Sequence, residues 1–357
     1  MAVTIGRKTL PLPILQGGMG VGVSLDGLAG AVAAYGGMGT LSTAMCGYAQ
    51  PDFDRDTRSA NLRALAQQVR RARETADGRG LVAVNAMVAT AQYADSVRTA
   101  LRAGADAIVC GAGLPRDLPA IAAEVPESEA ALAPIVSSGR AAGLICRLWD
   151  GHYGRIPDFV VLEGPRAGGH LGFSRKELDA PPSLSALLRD VLAALAPYRD
   201  KAGRDIPVFV AGGVKDGADM ARYMKEGAAG AQFATRFIAT QECDAAAGYK
   251  QHLLSARPED ITLVKSPVGM PGRALRSPLI RRVEAGTQPP VTRCMGCLTA
   301  CDWKTAPYCI SRALIAAVRG DWENGLFFCG ANAGEVNTLS TVPQQMAQIM
   351  DEWRNAQ

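Results

Sequence analysis

The 357-residue sequence lacks the charge pattern of a nucleic-acid-binding protein. Its 38 Lys and Arg residues face 34 Asp and Glu residues, which leaves a net charge of only +4, and no basic cluster is interleaved with aromatic residues. Binding to nucleic acid depends on concentrated positive charge, so this balance argues against a nucleic-acid partner. A small-molecule substrate is the expectation instead.

Long apolar runs and targeting signals are also missing. No stretch approaches the roughly 20 apolar residues of a membrane span. The amino terminus, MAVTIGRKTLPLPILQGGMG, has no basic start followed by a long apolar run and a small-residue cleavage site. We therefore expect a cytoplasmic protein without membrane association. A GxGxxG motif followed by an acidic residue at Rossmann spacing is absent too, so NAD(P)H would dock only transiently, as an electron donor.

What the sequence does contain is a regular alternation of short apolar runs and helical segments, with 48% apolar residues to form a large core. The predicted strands are residues 13–16, 39–42, 81–85, 106–110, 133–136, 158–163, 207–211 and 230–234. The predicted helices between and after them are residues 24–35, 56–77, 90–103, 117–123, 138–149, 183–198, 215–226 and 242–255. Wholly apolar strands, each followed by a helix, indicate a parallel sheet buried on both faces, and eight such units predict an α/β fold of the closed (β/α)8 TIM-barrel type. An open doubly wound sheet is the alternative.

The regular alternation stops near residue 257. We place the barrel in residues 1–280, a Cys-rich metal-binding segment in 281–335, and a closing helix packed on the barrel in 336–357. Further helices are predicted for residues 310–319 and 341–354. The long loop over 164–182 is a candidate functional loop, because long loops inside compact domains often carry function.

Active sites of such barrels lie just beyond the carboxyl ends of the strands. At these positions the sequence has glycines and polar residues, and the run AGGVKDG (211–217) precedes a predicted helix. Amides not covered by side chains, together with the positive end of a helix dipole, are suited to bind phosphate. Gly212 and Gly213 could instead make only a tight turn. Their combination with ATRF (234–237) and QGGMG (16–20) favours a phosphate site.

Several motifs together resemble the nitronate monooxygenase family, which also contains flavin-dependent enoyl-ACP reductases. The motifs are QGGMG (16–20), Asn85, the run from Glu163 to Gly172, AGGV (211–214) and TRF (235–237). The resemblance spans roughly residues 10–280 and implies FMN as the cofactor. By the match, the flavin ring lies along Gln16, Gly17, Gly18 and Met19 with Asn85 nearby, and the phosphate is held by Gly212, Gly213, Ala234 and Thr235. Further candidate cofactor-binding residues at the strand ends are Ser42, Ser137, Glu163, Gly168, Gly169, Ala211 and Gln232.

Two residues depart from the family pattern. Ala234 stands where the family commonly has glycine, which crowds the phosphate loop slightly. Ser137 stands near a position where many monooxygenase members have lysine and the reductases tend to have serine. The second departure keeps a reductase reading open.

His170 is the candidate catalytic residue, because it lies between glycines in the loop above the barrel mouth. The chain has only three histidines, and we expect His152 and His252 to be surface residues. An imidazole that titrates near neutral pH is suited to exchange a proton at a substrate carbon. The family match places its catalytic histidine at the same position. Glu163 has a structural alternative, since a carboxylate at a strand end can simply anchor a neighbouring amide.

Four of the nine cysteines, Cys294, Cys297, Cys301 and Cys309, gather within sixteen residues. An odd number of cysteines in a reducing cytosol argues against a disulfide framework. Four close thiolates can bind a [4Fe-4S] cluster or Zn²⁺. The spacing resembles the [4Fe-4S] segment that follows the FMN barrel of 2,4-dienoyl-CoA reductase, so we favour iron-sulfur over zinc. Cys329 could substitute for Cys309, whereas the remaining cysteines fit the core or loops.

The resemblance implies an FMN-dependent oxidoreductase that oxidises alkyl nitronates with O2 through a flavin intermediate, with His170 in proton transfer. A cluster beside a flavin favours the alternative of an enoyl-thioester reductase supplied by NAD(P)H or an electron-carrier protein. A non-catalytic flavin-binding sensor is the alternative from another class. A homodimer is a candidate assembly.

Overall fold

The computed structural model describes residues 2–357, so residue 1 of the predicted 1–280 domain lies outside the described residues. The strands are β1 Val3–Ile5, β2 Lys8–Leu10, β3 Ile14–Gln16, β4 Met38–Ser42, β5 Leu81–Met87, β6 Ala107–Gly111, β7 Ala131–Val136, β8 Val160–Glu163, β9 Gly169–His170, β10 Val208–Ala211, β11 Gly230–Phe233, β12 Ile261–Lys265 and β13 Pro271–Leu275. The helices are α1 Asp26–Ala34, α2 Thr57–Ala76, α3 Tyr93–Arg102, α4 Leu118–Ala123, α5 Gly139–Tyr153, α6 Arg175–Asp179, α7 Leu184–Ala202, α8 Gly217–Lys225, α9 Thr235–Ile238, α10 Ala247–Leu254, α11 Pro278–Glu284, α12 Ile310–Val318 and α13 Val342–Asn355.

Eight parallel strands close into a barrel in the order β10, β11, β3, β4, β5, β6, β7, β8. Strand β11 pairs with β3 near the start of the chain, and β10 pairs with β8, which completes the ring. The predicted (β/α)8 barrel is therefore confirmed, and the open-sheet alternative is wrong. Each predicted strand corresponds to one barrel strand, because continuous apolar runs are required where both faces of a strand are buried.

Side chains fill the barrel interior. Phe159 and Phe209 meet there edge to face, with ring centroids 5.9 Å apart. The β1–β2 hairpin covers the end of the barrel opposite the strand carboxyl termini, where Ile5 and Leu10 join the interior cluster. The lower end is thus closed by packed apolar side chains. Only the carboxyl-terminal end remains open for a site.

The last helix, α13, packs across α8 and α1 on the outside of the barrel. Its buried face includes Ile349, which is 0% exposed, and Trp353. Glu352 accepts a hydrogen bond from the amide of Gly217 at 2.9 Å and therefore binds the first turn of α8. No helix within residues 2–357 combines the length and apolar character needed to cross a bilayer.

Two of the segments with regular structure that the sequence pattern does not predict lie near the barrel mouth. The loop over 164–182 includes β9 and the short helix α6, and residues 261–275 form the β12–β13 hairpin. Strand β9 pairs with β13, so the three strands make a small antiparallel sheet above the barrel mouth. These strands are short, partly exposed and rich in glycine and proline, so they carry no clear period-two pattern.

Candidate functional site

A cavity of about 690 Å³ opens at the carboxyl ends of the barrel strands. Its wall includes every residue predicted above to bind the cofactor or to act in catalysis, except Gln16. The predicted residues on the wall are Gly17, Gly18, Met19, Ser42, Asn85, Ser137, Glu163, Gly168, Gly169, His170, Ala211, Gly212, Gly213, Gln232, Ala234 and Thr235. The volume is within the usual range for cofactor and ligand sites.

The structure does not bring Gln16 to the cavity wall. This residue is 0% exposed, and its side-chain oxygen accepts a hydrogen bond from the amide of Thr40 at 3.0 Å. The prediction that it lies along a flavin ring is not supported by this position. Gln16 points from β3 toward β4 and joins the two strands, because a buried amide side chain must have hydrogen-bond partners.

The glycines that follow β3 allow the chain to lie close to the neighbouring strand ends. A Cβ at Gly18 would overlap the Cβ of Asn85, and one at Gly20 would lie 2.6 Å from the Cβ of Ala44. The amide of Gly17 donates to the carbonyl of Phe233 at 2.8 Å, which anchors this loop to the end of β11. Backbone without side chains therefore forms part of the cavity wall at Gly17, Gly18 and Gly20.

Backbone amides beyond β10 and β11 provide the features of an anion site. Gly212 and Gly213 have φ values of +69° and +142°, conformations that favour glycine. Within the described residues, the amides of Gly213, Ala234 and Thr235 make no hydrogen bond to protein. Unpaired amides that converge on a cavity are suited to bind a phosphate group. These amides fit the phosphate of the FMN that the family resemblance implies.

His170 lies in β9 and faces the cavity from the small antiparallel sheet. Its Nε2 atom is hydrogen-bonded to Oγ of Ser266 at 2.8 Å, and Phe328 packs edge-on to the ring at 5.1 Å. Burial lowers the pKa of His170 to about 4, so the imidazole is neutral at pH 7. The two preceding glycines are needed because a Cβ at Gly168 would overlap the Cys329 backbone and Gly169 has φ +72°.

Glu163 ends β8 and reaches the same cavity. Burial raises the pKa of its carboxyl group to about 8, so the group is mainly protonated at neutral pH. Ser137 donates a hydrogen bond to the carbonyl of Gly172 at 2.9 Å and so helps to hold the loop that carries His170. The cavity therefore contains a neutral base and a neutral acid.

Part of the wall comes from segments that the sequence analysis did not assign to the site. The β12–β13 hairpin supplies Ser266, which holds His170, and the chain from 328 to 338 crosses the rim. Gly330 donates its amide to Oγ1 of Thr235 at 3.0 Å, which joins this crossing segment to the end of β11. The sequence did contain one indication that this segment belongs to the site. Aromatic and glycine residues occur together in FFCGAN (327–332), outside any helical pattern.

The other histidines differ in environment. His152 is exposed on the last turn of α5, as expected of a surface residue. His252 is only partly exposed and stacks on Trp322, with ring centroids 4.3 Å apart. His252 therefore lies at the surface with one face of its ring covered by the carboxyl-terminal segment.

The four clustered cysteines lie beside the rim of the barrel. The carbonyl of Cys297 accepts a hydrogen bond from the amide of Ala91 at 3.0 Å, which attaches the segment to the loop after β5. Burial raises the pKa of Cys297 and Cys301, and the nearby cysteines add to the shift in each case. In residues 2–357, however, no three or more His, Cys, Asp or Glu side chains converge as metal ligands. The thiols as placed do not form a coordination sphere. Cys329 lines the large cavity instead.

Comparison with known proteins agrees with this geometry. The relatives found are oxidoreductases, among them nitronate monooxygenases and a dehydrogenase. The model of the nitronate monooxygenase family matches residues 4–352. The protein belongs to the nitronate monooxygenase family.

Three similar proteins illustrate the range of the family. A (3aS,4S,5R,7aS)-5-hydroxy-7a-methyl-1-oxo-octahydro-1H-indene-4-carboxyl-CoA dehydrogenase of Mycobacterium tuberculosis is 28% identical over 77% of this chain and 66% of its own length. A nitronate monooxygenase of Pseudomonas aeruginosa is 32% identical over 38% of this chain and 36% of its own. The structure of a single-residue variant of FabK from Thermotoga maritima is 25% identical with a TM-score of 0.71, over 97% of this chain and 93% of that one. The aligned part is thus less than two thirds of either curated relative.

Proposed function

We propose that this protein is an FMN-dependent oxidoreductase that oxidises alkyl nitronates, with His170 as the proton-transfer residue. The observation that carries the proposal is the neutral imidazole of His170 on the wall of a rim cavity that has unpaired backbone amides at its other side. A neutral imidazole is the protonation state of a base.

The cavity wall has features suited to both ends of an FMN molecule. The amides of Gly213, Ala234 and Thr235 would bind its phosphate, and the bare backbone of Gly17 and Gly18 would lie along its ring system. Bound FMN supplies two-electron redox chemistry that no side chain of the protein can provide. The residues of the chain bind and orient the substrate and move the proton.

Ser266 orients the imidazole for that proton transfer. A serine hydroxyl can donate to a neutral ring nitrogen or accept from a protonated one, so its bond to Nε2 of His170 can persist in both states. Nδ1 of His170 has no hydrogen-bond partner among the described residues. It is also not fully buried, so a substrate can reach it. When the substrate is a neutral nitroalkane, Nδ1 accepts the proton from the carbon next to the nitro group. The electron pair of the broken C–H bond moves to that group and produces the nitronate.

The test compares two forms of one substrate. A base is required for neutral nitroethane but not for its preformed nitronate, so His170→Ala should lower kcat/KM about 10²- to 10⁴-fold for nitroethane and much less for the nitronate. Oxygen consumption measures both rates, and flavin absorbance verifies that FMN is still bound. His152→Ala is the matched control because that ring is exposed. Full turnover of nitroethane by His170→Ala would remove the assignment.

A second candidate function is oxidation or reduction of an acyl thioester at the carbons next to the carbonyl. Ser137 on the cavity wall and the indene-carboxyl-CoA dehydrogenase relative, which aligns over 77% of this chain, favour it. Anaerobic incubation with crotonyl thioester and NAD(P)H or dithionite would reveal the reduced thioester by mass spectrometry. A bound flavin that no donor reduces would instead favour the non-catalytic sensor.

The iron-sulfur cluster and the electron carrier that would supply it also stay predictions. The four thiols are near enough to influence one another, yet they do not converge as ligands. Protein prepared without oxygen should contain about four iron and four sulfide per chain if the cluster forms. Cys301→Ser should then lose the iron, while Cys243→Ser, a buried cysteine elsewhere, should keep it. Zinc in place of iron would support the alternative ligand.

A further inference from the structure

A second, small cavity of about 50 Å³ lies on the other side of His170. Five residues line both cavities, so the two spaces are adjacent at the imidazole: Ala44, Met87, Ala112, His170 and Leu314. Its far wall includes Leu298 of the cysteine segment and Val268 of the β12–β13 hairpin. The small cavity is therefore a side pocket of the site already described, and it is walled by segments outside the barrel.

The surface of this side pocket is mainly apolar. Several polar residues on the wall are already paired with protein: Thr90 Oγ1 donates to the carbonyl of Met87 at 2.7 Å, and Asn61 bonds the Gln92 side chain at 3.3 Å. A buried water requires two to four polar partners, which Thr90 and Asn61 no longer offer freely. A small aliphatic group is a better occupant.

We propose that the side pocket binds a short alkyl branch of the substrate, next to the carbon that exchanges its proton with His170, and that Leu298 limits the length of this branch. The inference rests on the proposed role of His170. It follows from the position of the pocket, because a branch on the reacting carbon lies within one or two bonds of the base. The cysteine segment thus contributes to substrate selection through Leu298.

Leu298 can be changed in both directions. It is partly buried on the surface segment 294–301, so substitution there leaves the barrel core intact. Leu298→Trp fills the pocket, and Leu298→Ala enlarges it. Leu339→Ala is the matched control, because Leu339 is 47% exposed and lines neither cavity.

The first readout is kinetic. Leu298→Trp should lower kcat/KM for the branched propyl-2-nitronate about tenfold or more relative to the unbranched propyl-1-nitronate, which is the range expected when a pocket rejects one methyl group. Leu298→Ala should shift the preference toward butyl-2-nitronate. An equal effect on branched and unbranched substrates in both variants would overturn the inference.

The second readout does not depend on turnover. Isobutyrate and propanoate are unreactive mimics whose carboxylate stands for the nitronate group, and their binding can be followed by the change in flavin absorbance. Leu298→Trp should weaken the binding of isobutyrate about tenfold and leave the binding of propanoate almost unchanged. Discrimination between the mimics without any turnover would preserve the side pocket and reject the proposed function. Equal weakening of both mimics, or of neither, would reject the pocket while leaving the function to its own test.

Discussion

Burial shifts the pKa values of two residues on the wall of the large cavity in opposite directions. Glu163 has its pKa raised to about 8 and His170 has its pKa lowered to about 4, and burial is the cause in both cases. At pH 7 both groups are mainly uncharged, because burial disfavours the charged form of each. Such a pair of neutral groups can exchange protons with a substrate without first losing a charge.

The raised pKa of Glu163 makes the stability of the flavin-free protein depend on pH. The carboxyl is protonated in the folded protein up to about pH 8 but ionises near pH 4.5 in the unfolded chain. Between these values the folded state binds more protons, so its contribution to stability falls as the pH rises. Glu163→Gln should remove this loss, and the variant should gain on the order of 4 kcal/mol over wild type by pH 8.5 while matching it near pH 4.5.

Urea unfolding of both proteins at pH 5, 7 and 8.5 measures the difference. The lowered pKa of His170 costs stability below about pH 6.5 in both proteins and cancels when they are compared. Glu127→Gln is the control, since Glu127 is exposed on a loop. A constant offset between Glu163→Gln and wild type at all pH values would show that burial does not set the pKa.

At the scale of elements, helix α13 joins the end of the chain to the barrel. Thr341 caps it and shares a capping box with Gln344, and proline follows at the first turn. The apolar residues of α13 recur at helical spacing, and Met346, Ile349 and Met350 are buried. The sequence therefore predicted this helix closely, at 341–354 against the observed Val342–Asn355.

Ile349→Ala tests how much α13 contributes. The side chain is 0% exposed, so its removal loses apolar contact and leaves a cavity, and we expect the free energy of unfolding to fall by about 2–5 kcal/mol. Asp351→Ala on the exposed face of the same helix should change it by less than about 0.5 kcal/mol. Urea titration measures both. A small effect of Ile349→Ala would mean that the helix is not part of the cooperative fold.

For the whole molecule, the glycine-rich part of the barrel rim lies where the two ends of the barrel sequence meet. It lies between β3 and the pair β10 and β11. A ligand bound at this seam should stabilise the entire barrel. At 100 times its dissociation constant, FMN should add about 2.7 kcal/mol to the free energy of unfolding.

Gly18→Ala should abolish that gain, because the new Cβ would overlap the Cβ of Asn85 on the cavity wall. Gly143→Ala is the matched control, since its Cβ would lie 3.8 Å from the nearest atom, Cβ of Ala194. Thermal unfolding with and without FMN, together with fluorescence titration of FMN, measures both variants. Equal FMN binding by Gly18→Ala and wild type would place the cofactor elsewhere.

The sequence by itself determined the barrel and the strand-end part of the cavity wall, from Gly17 after β3 to Thr235 after β11. Strands buried on both faces must be apolar throughout, so the local sequence pattern predicts them. Parallel strands bring their carboxyl ends to one rim, so the residues that follow each strand can be assigned to that rim. Only the tertiary structure decided that Gln16 turns away to bond Thr40, that Ser266 and Phe328 hold His170, and that Leu298 closes a side pocket. These contacts join residues far apart in the chain, and no local pattern specifies which distant segments meet.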